Sequence, residues 1–130
     1  MESTLPPLTP MKCLLVISNF PNVEVARQIG TKLVEMQMAA CVNLIPSVES
    51  IYLWNGRVET EKETTVLFKT TEECFASLEE SLRSLHPYEV PEILAIPVSE
   101  GSKAYLQWVA ECCRPSAAVK GAGDEETGEC

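Results

Sequence analysis

The chain has 130 residues, 45% of them hydrophobic and 22% charged, and a formal net charge of −9. That length and apolar content suit one compact domain with its own core and exclude a disordered polymer. The acidic balance runs along the whole chain and excludes non-specific nucleic-acid binding, and no apolar run approaches the roughly 20 residues a membrane-spanning helix needs.

Residues 1–10 hold Pro6, Pro7 and Pro10 and read as a flexible lead-in to a domain over 11–113. Met11 to Ile17 is a short apolar run, the pattern of a strand buried on both faces. Phe20-Pro21-Asn22 breaks it, and Asn22 is a good N-cap. Val25, Ala26, Ile29, Leu33, Val34 and Met36 then recur at helical spacing, which predicts an amphipathic helix ending near Met38. Cys41 to Ile45 is strand-like, Pro46 allows a bulge, and Val48 to Trp54 alternates. Asn55-Gly56 fits a type I′ hairpin turn, because both central residues need positive φ. The returning strand has its apolar end at Val66–Lys69. The polar stretch Glu59–Thr65 is either the exposed arm of a long hairpin or a segment that pairs with another subunit.

Thr70 with Glu73 reads as a capping box before a second helix carrying Phe75, Leu78, Leu82 and Leu85. His86-Pro87-Tyr88 ends it. Ile93–Ile96 is a last strand, and Ala104, Leu106, Trp108 and Val109 predict a short final helix. Residues 114–130 form a small-residue, acidic segment expected to be disordered. The order predicts an α+β, ferredoxin-like β-α-β-β-α-β antiparallel sheet with both helices on one face, plus a short C-terminal helix. Its other face, rich in Val, Ile, Tyr and Trp, is left bare, and oligomerisation is the simplest cover.

Ala39-Ala40-Cys41-Val42-Asn43-Leu44-Ile45-Pro46 followed by Ser50-Ile51-Tyr52-Leu53-Trp54-Asn55-Gly56 resembles the CutA divalent-cation-tolerance family. Lys69-Thr70, His86-Pro87-Tyr88-Glu89-Val90-Pro91-Glu92 and Tyr105-Leu106-Gln107-Trp108 continue the likeness in order and spacing, from about Met11 to Val109. The resemblance implies a fold related to the PII signalling proteins and a stable homotrimer joined by inter-subunit strand pairing. It also implies a link to tolerance of divalent cations, copper above all. In animals it implies an association with the anchoring or processing of acetylcholinesterase.

His86, the one histidine, is a candidate ligand for copper or another divalent metal; alternatively it closes a helix by bonding the last carbonyls. Cys41 is the second metal candidate, and otherwise a small buried hydrophobe. Some bacterial relatives carry a copper-linked cysteine at the end of the first strand, where this chain has Ser18. Tyr52, Trp54, Lys69, Glu89 and Glu92 are candidates to line a ligand cleft between subunits; packing, or a structural ion pair for the lysine and glutamates, is the other reading. The six cysteines include no CxxC pair, and no basic leader with an apolar run opens the chain, so reduced thiols and a cytoplasmic location are expected. Cys112, Cys113 and Cys130 read as sites of oxidation or crosslinking. The chain has no GxSxG, HExxH or GxxxxGK[ST] motif, and its single aspartate is Asp124, so a catalytic triad is not expected.

Overall fold

The computed structural model describes residues 12–114; the lead-in 1–10 and, Arg114 apart, the acidic segment lie outside the described residues. The elements run β1 (Cys13–Phe20), α1 (Val23–Glu35), β2 (Cys41–Trp54), β3 (Arg57–Thr71), α2 (Phe75–Leu85), β4 (Leu94–Pro97) and α3 (Lys103–Cys112). The sheet is antiparallel in the order β2-β3-β1-β4. This is the expected ferredoxin-like arrangement.

β1 extends further than its apolar run suggests. Asn19 and Phe20 still pair with Thr65 and Thr64, and the Phe20 side chain is fully buried, so the aromatic prolongs the strand rather than breaking it. α1 begins where expected, with Asn22 Oδ1 accepting the Val25 N–H at 2.9 Å. It stops at Glu35, short of Met38. The Met38 N–H reaches back to Leu33 O and the Gln37 N–H to Val34 O, a Schellman closure that needs Gln37 at φ 62. α1 also lies close to the sheet, since a Cβ on Gly30 would sit 3.1 Å from Val42 Cγ2.

β2 and β3 form one long hairpin, paired from Cys41↔Lys69 to Trp54↔Arg57 with a bulge between Ile45 and Val48. Asn55 (φ 50) and Gly56 (φ 77) make the turn. The polar stretch 59–65 is therefore an arm within this hairpin, and it pairs with β2 of its own chain. The capping-box expectation fails. Thr70 lies in β3 opposite Leu14, and its buried hydroxyl donates to Met38 O at 2.7 Å. The strand runs through Thr71, whose Oγ1 accepts the Cys74 N–H at 3.3 Å, and α2 starts after that turn.

Register divides the sheet into two faces. Leu14, Val16, Phe20, Val66 and Phe68 point to the helices, where they bury Ala26, Ile29 and Leu33 of α1 and Leu78 and Leu82 of α2. At about 25 cal/mol per Å² of apolar area, that cluster supplies the main drive for folding. Leu15, Ile17, Cys41, Asn43, Leu67, Lys69, Leu94 and Ile96 occupy the other face. That face is not wholly bare. α3 covers one end of it, with Val109 packed in a second cluster with Cys13, Cys74 and Cys113. Ile45, Leu94 and Ile96 remain exposed.

Candidate functional site

Two polar groups form on the open face. The first lies at the start of β2. Lys69 Nζ is 3.9 Å from Cys41 Sγ and donates to Asn43 Oδ1. The Tyr105 hydroxyl, delivered by α3, hydrogen-bonds with the same thiol and ammonium. Cys41 and Lys69 are half-buried, so the group is reachable from solvent.

The second group lies where the α2–β4 loop meets the hairpin. The Tyr88 hydroxyl donates to Glu63 Oε2 and the Ser50 hydroxyl to Glu63 Oε1, both at 2.7 Å. Tyr52 shares the face and bonds Glu61. Burial first, and then the bond to Glu63, pushes the Tyr88 phenol above the ordinary tyrosine range, so it acts here as a donor and not as a base. Asn19 joins the two sides of this group: its Oδ1 accepts from Thr65 Oγ1 at 2.7 Å, and its Nδ2 donates to Glu92 Oε1 at 3.2 Å.

His86 stands behind this second group. Its ring stacks on Phe20 at 4.4 Å and lies 4.9 Å from the Tyr88 ring. Nδ1 accepts the Tyr88 N–H at 3.1 Å, which leaves Nε2 to carry the proton toward Asn19 O at 2.8 Å. The ring thus ties β1 to the loop; it does not bond the last carbonyls of α2. Burial lowers its pKa, against the opposing pull of the Asn19 carbonyl and Glu63, so the neutral ring is favoured. A metal would reach a ring nitrogen only after one of these bonds broke.

The structure brings Tyr52 to the Glu61–Glu63–Tyr88 group and Lys69 to Cys41. It does not bring His86 to Cys41. The Cys41–Lys69 and Asn19–Thr65 rows are four residues apart on β3, roughly 13 Å at strand rise. The expected Lys69–glutamate pairing is absent for the same reason: Glu92 bonds Asn19, and Glu89 is exposed on the loop. Trp54 stands at the hairpin tip, 62% exposed. Ser18 faces the helices with its hydroxyl buried and unpartnered, so it offers nothing to the open face. Among the described residues, no group of three or more His, Cys, Asp or Glu is placed to hold a metal. Asn19, Asn43, Glu63 and Tyr105 complete these groups although no local motif marks them as site residues.

A four-stranded antiparallel sheet backed by two helices, with a long hairpin arm and polar groups on its open side, defines a ferredoxin-like α+β protein. The profile of the CutA1 divalent ion tolerance protein matches residues 14–112. The divalent-cation tolerance protein CutA of Thermus thermophilus is 47% identical over 97 residues, covering 75% of this chain and 94% of that one. A solved structure of the Thermus thermophilus protein superposes with a TM-score of 0.77 at 45% identity, covering 78% of this chain and 99% of that one. The chain belongs to the CutA divalent-cation tolerance family. Human protein CutA is 46% identical over 91 residues, covering 70% of this chain but 51% of the human one, so the match spans about half of that relative. Rice protein CutA 1, named as chloroplastic, is 35% identical over 116 residues, 89% of this chain and 64% of its own. Family membership thus does not carry the cytoplasmic location expected from sequence. No described helix is long and apolar enough to cross a membrane.

Proposed function

We propose that the chain works as a non-catalytic homotrimer in divalent-cation tolerance, holding a divalent metal such as copper, or a small ligand, in the clefts where copies meet. The hairpin arm carries this reading. Leu53 and Val58 are 70% and 71% exposed on one of its faces, and Tyr52 and Trp54 are exposed on the other. An arm with apolar side chains on both faces needs a neighbour to remove them from water. On this reading the Lys69–Cys41 and Glu63–Tyr88 groups, with exposed Glu89 and Glu92, supply donors to the shared clefts. Donors from two copies then complete a set that the described residues of one copy do not assemble. Cys41 is the more accessible anchor, because its thiol is half-exposed and suits a soft metal, whereas His86 must first release Tyr88 or Asn19.

Sedimentation of untagged protein, followed by calorimetric titration with copper, tests both parts. The expected result is a particle three times the 14.3 kDa chain that binds copper, with affinity at least about tenfold weaker in Cys41→Ser. A monomer at micromolar concentration removes the shared clefts. A trimer that takes up no metal favours the second reading, drawn from the same exposed arm: a scaffold for a protein partner such as one related to acetylcholinesterase processing.

A further inference from the structure

Four cysteines gather where the end of the sheet meets α3. Cys13, Cys74 and Cys113 share one buried cluster with Val109, and Cys112 precedes Cys113 on the last turn of α3. None of the three clustered thiols is in a disulfide. Within the cluster the Cys74 and Cys113 thiols interact directly, side chain to side chain. The two residues are 39 apart in sequence and belong to different elements. Cys74 is the N-cap residue of the eleven-residue α2, where the first helical N–H groups gather and no side chain fills the cap. The Thr71 hydroxyl also bonds Cys74, and the Thr70 hydroxyl lies 3.8 Å from Cys113 Sγ.

We propose that Cys74 and Cys113 are a redox-active dithiol that closes to a disulfide on exposure to a hydroperoxide, fastening the C-terminal end of α3 to the N-terminus of α2. This inference stands apart from the metal reading, since neither residue belongs to the open-face groups. Cys74, at the N-cap of α2 with the Thr71 hydroxyl bonded to it, takes the attacking role, and Cys113 the resolving one. The bond with Cys113, helped by Thr71 and opposed by burial and Glu73, lowers the Cys74 pKa to about 7. The Cys113 pKa is raised, first by the bond with Cys74 and then by burial. Cys13, the third thiol of the cluster, is raised by burial against the pull of Lys69 and is the poorer nucleophile.

Cys74 thiolate attacks the terminal oxygen of the hydroperoxide. An S–O bond forms, the O–O bond breaks, and the leaving alkoxide or hydroxide takes a proton to depart as alcohol or water. The Cys113 sulfur, losing its proton to the departing hydroxyl, then attacks the Cys74 sulfenic acid and releases water. Two thiols and one hydroperoxide give one disulfide, one alcohol (or water) and one water. Cys74 is 1% exposed and Cys113 7%, so a small oxidant enters when the last turn of α3 opens. That turn is held partly by the Arg114 N–H to Gln37 O at 2.8 Å, just past the end of the ten-residue α3. Closure would also steady Tyr105, about two turns back along α3 and beside Cys41 and Lys69.

The test treats the reduced full chain with hydrogen peroxide and maps thiols by tandem mass spectrometry. The expected product has lost two hydrogens, links Cys74 to Cys113, and reverts with dithiothreitol. Cys113→Ser should stop at a Cys74 sulfenic acid that dimedone tags, whereas Cys74→Ser should oxidise at position 113 at least about tenfold more slowly. A link through Cys13 or Cys112, or oxidation confined to Cys41 and Cys130 with Cys74 intact, overturns the assignment. Should a serine variant fail to fold, hydrogen exchange on the wild-type chain decides. Amides of α3 should exchange at least about tenfold more slowly in the oxidised form, and equal exchange in both forms refutes the tether.

Discussion

His86 shows how a lone titratable side chain is absorbed by a fold. As the chain's one histidine it attracts a ligand reading, but in place it is an inter-element tie with both ring nitrogens engaged and one face on Phe20. Its pKa lies below the ordinary value because burial disfavours the imidazolium. The unfolded chain therefore takes up the proton first. The ring's contribution to stability is complete above about pH 6.5 and is lost as pH falls through the lower folded value. Denaturant midpoints measured from pH 7.5 to 5.5 should fall with acid in the wild type and fall less steeply in His86→Gln. Parallel curves would show that the ring does not carry this pH dependence. The Tyr88 amide is a local partner two residues on, but no local pattern marks the Asn19 carbonyl, 67 residues away.

At the scale of elements, backbone chemistry was legible wherever a residue acts on its immediate neighbours. Asn22 caps α1 and Asn55-Gly56 turns the hairpin because each uses its own φ or a bond within three residues. Thr70 does not cap α2, because β3 pairing and the Met38 carbonyl, 32 residues away, outcompete a local cap. The end of α1 holds a correctable strain. Gln37 adopts φ 62, which an L-residue other than glycine takes at a cost of about 1 kcal/mol. Gln37→Gly should raise the unfolding free energy by roughly 0.5–1 kcal/mol, measured by urea denaturation. A loss of stability would mean that side-chain packing at Gln37 outweighs the backbone.

For the whole molecule, the exposed arm is the decisive feature. A 14-residue and a 15-residue strand project beyond the two-helix layer, and their tip carries Ile51, Leu53, Trp54 and Val58 in the open. If that surface joins copies, Leu53→Glu should shift the sedimenting species toward monomer without changing the far-UV circular dichroism of the chain. Burial of a carboxylate in an apolar contact costs several kcal/mol unless it is paired, enough to shift a micromolar equilibrium. An unchanged assembly would remove Leu53 from the contact.

The periods of hydrophobicity, the turns and the order of elements are written in the residues themselves, and with them the sheet and its helical face. Those are short-range properties, decided by 2.0- and 3.6-residue spacing and by φ preferences. Which side chains meet depends instead on packing between distant elements. Lys69 joins Cys41 and Asn43, Glu63 joins Tyr88, and Cys74 meets Cys113 through strand register and the return of α3, contacts spanning 25 to 39 residues. No local pattern records such a juxtaposition, because it comes from how separate elements pack.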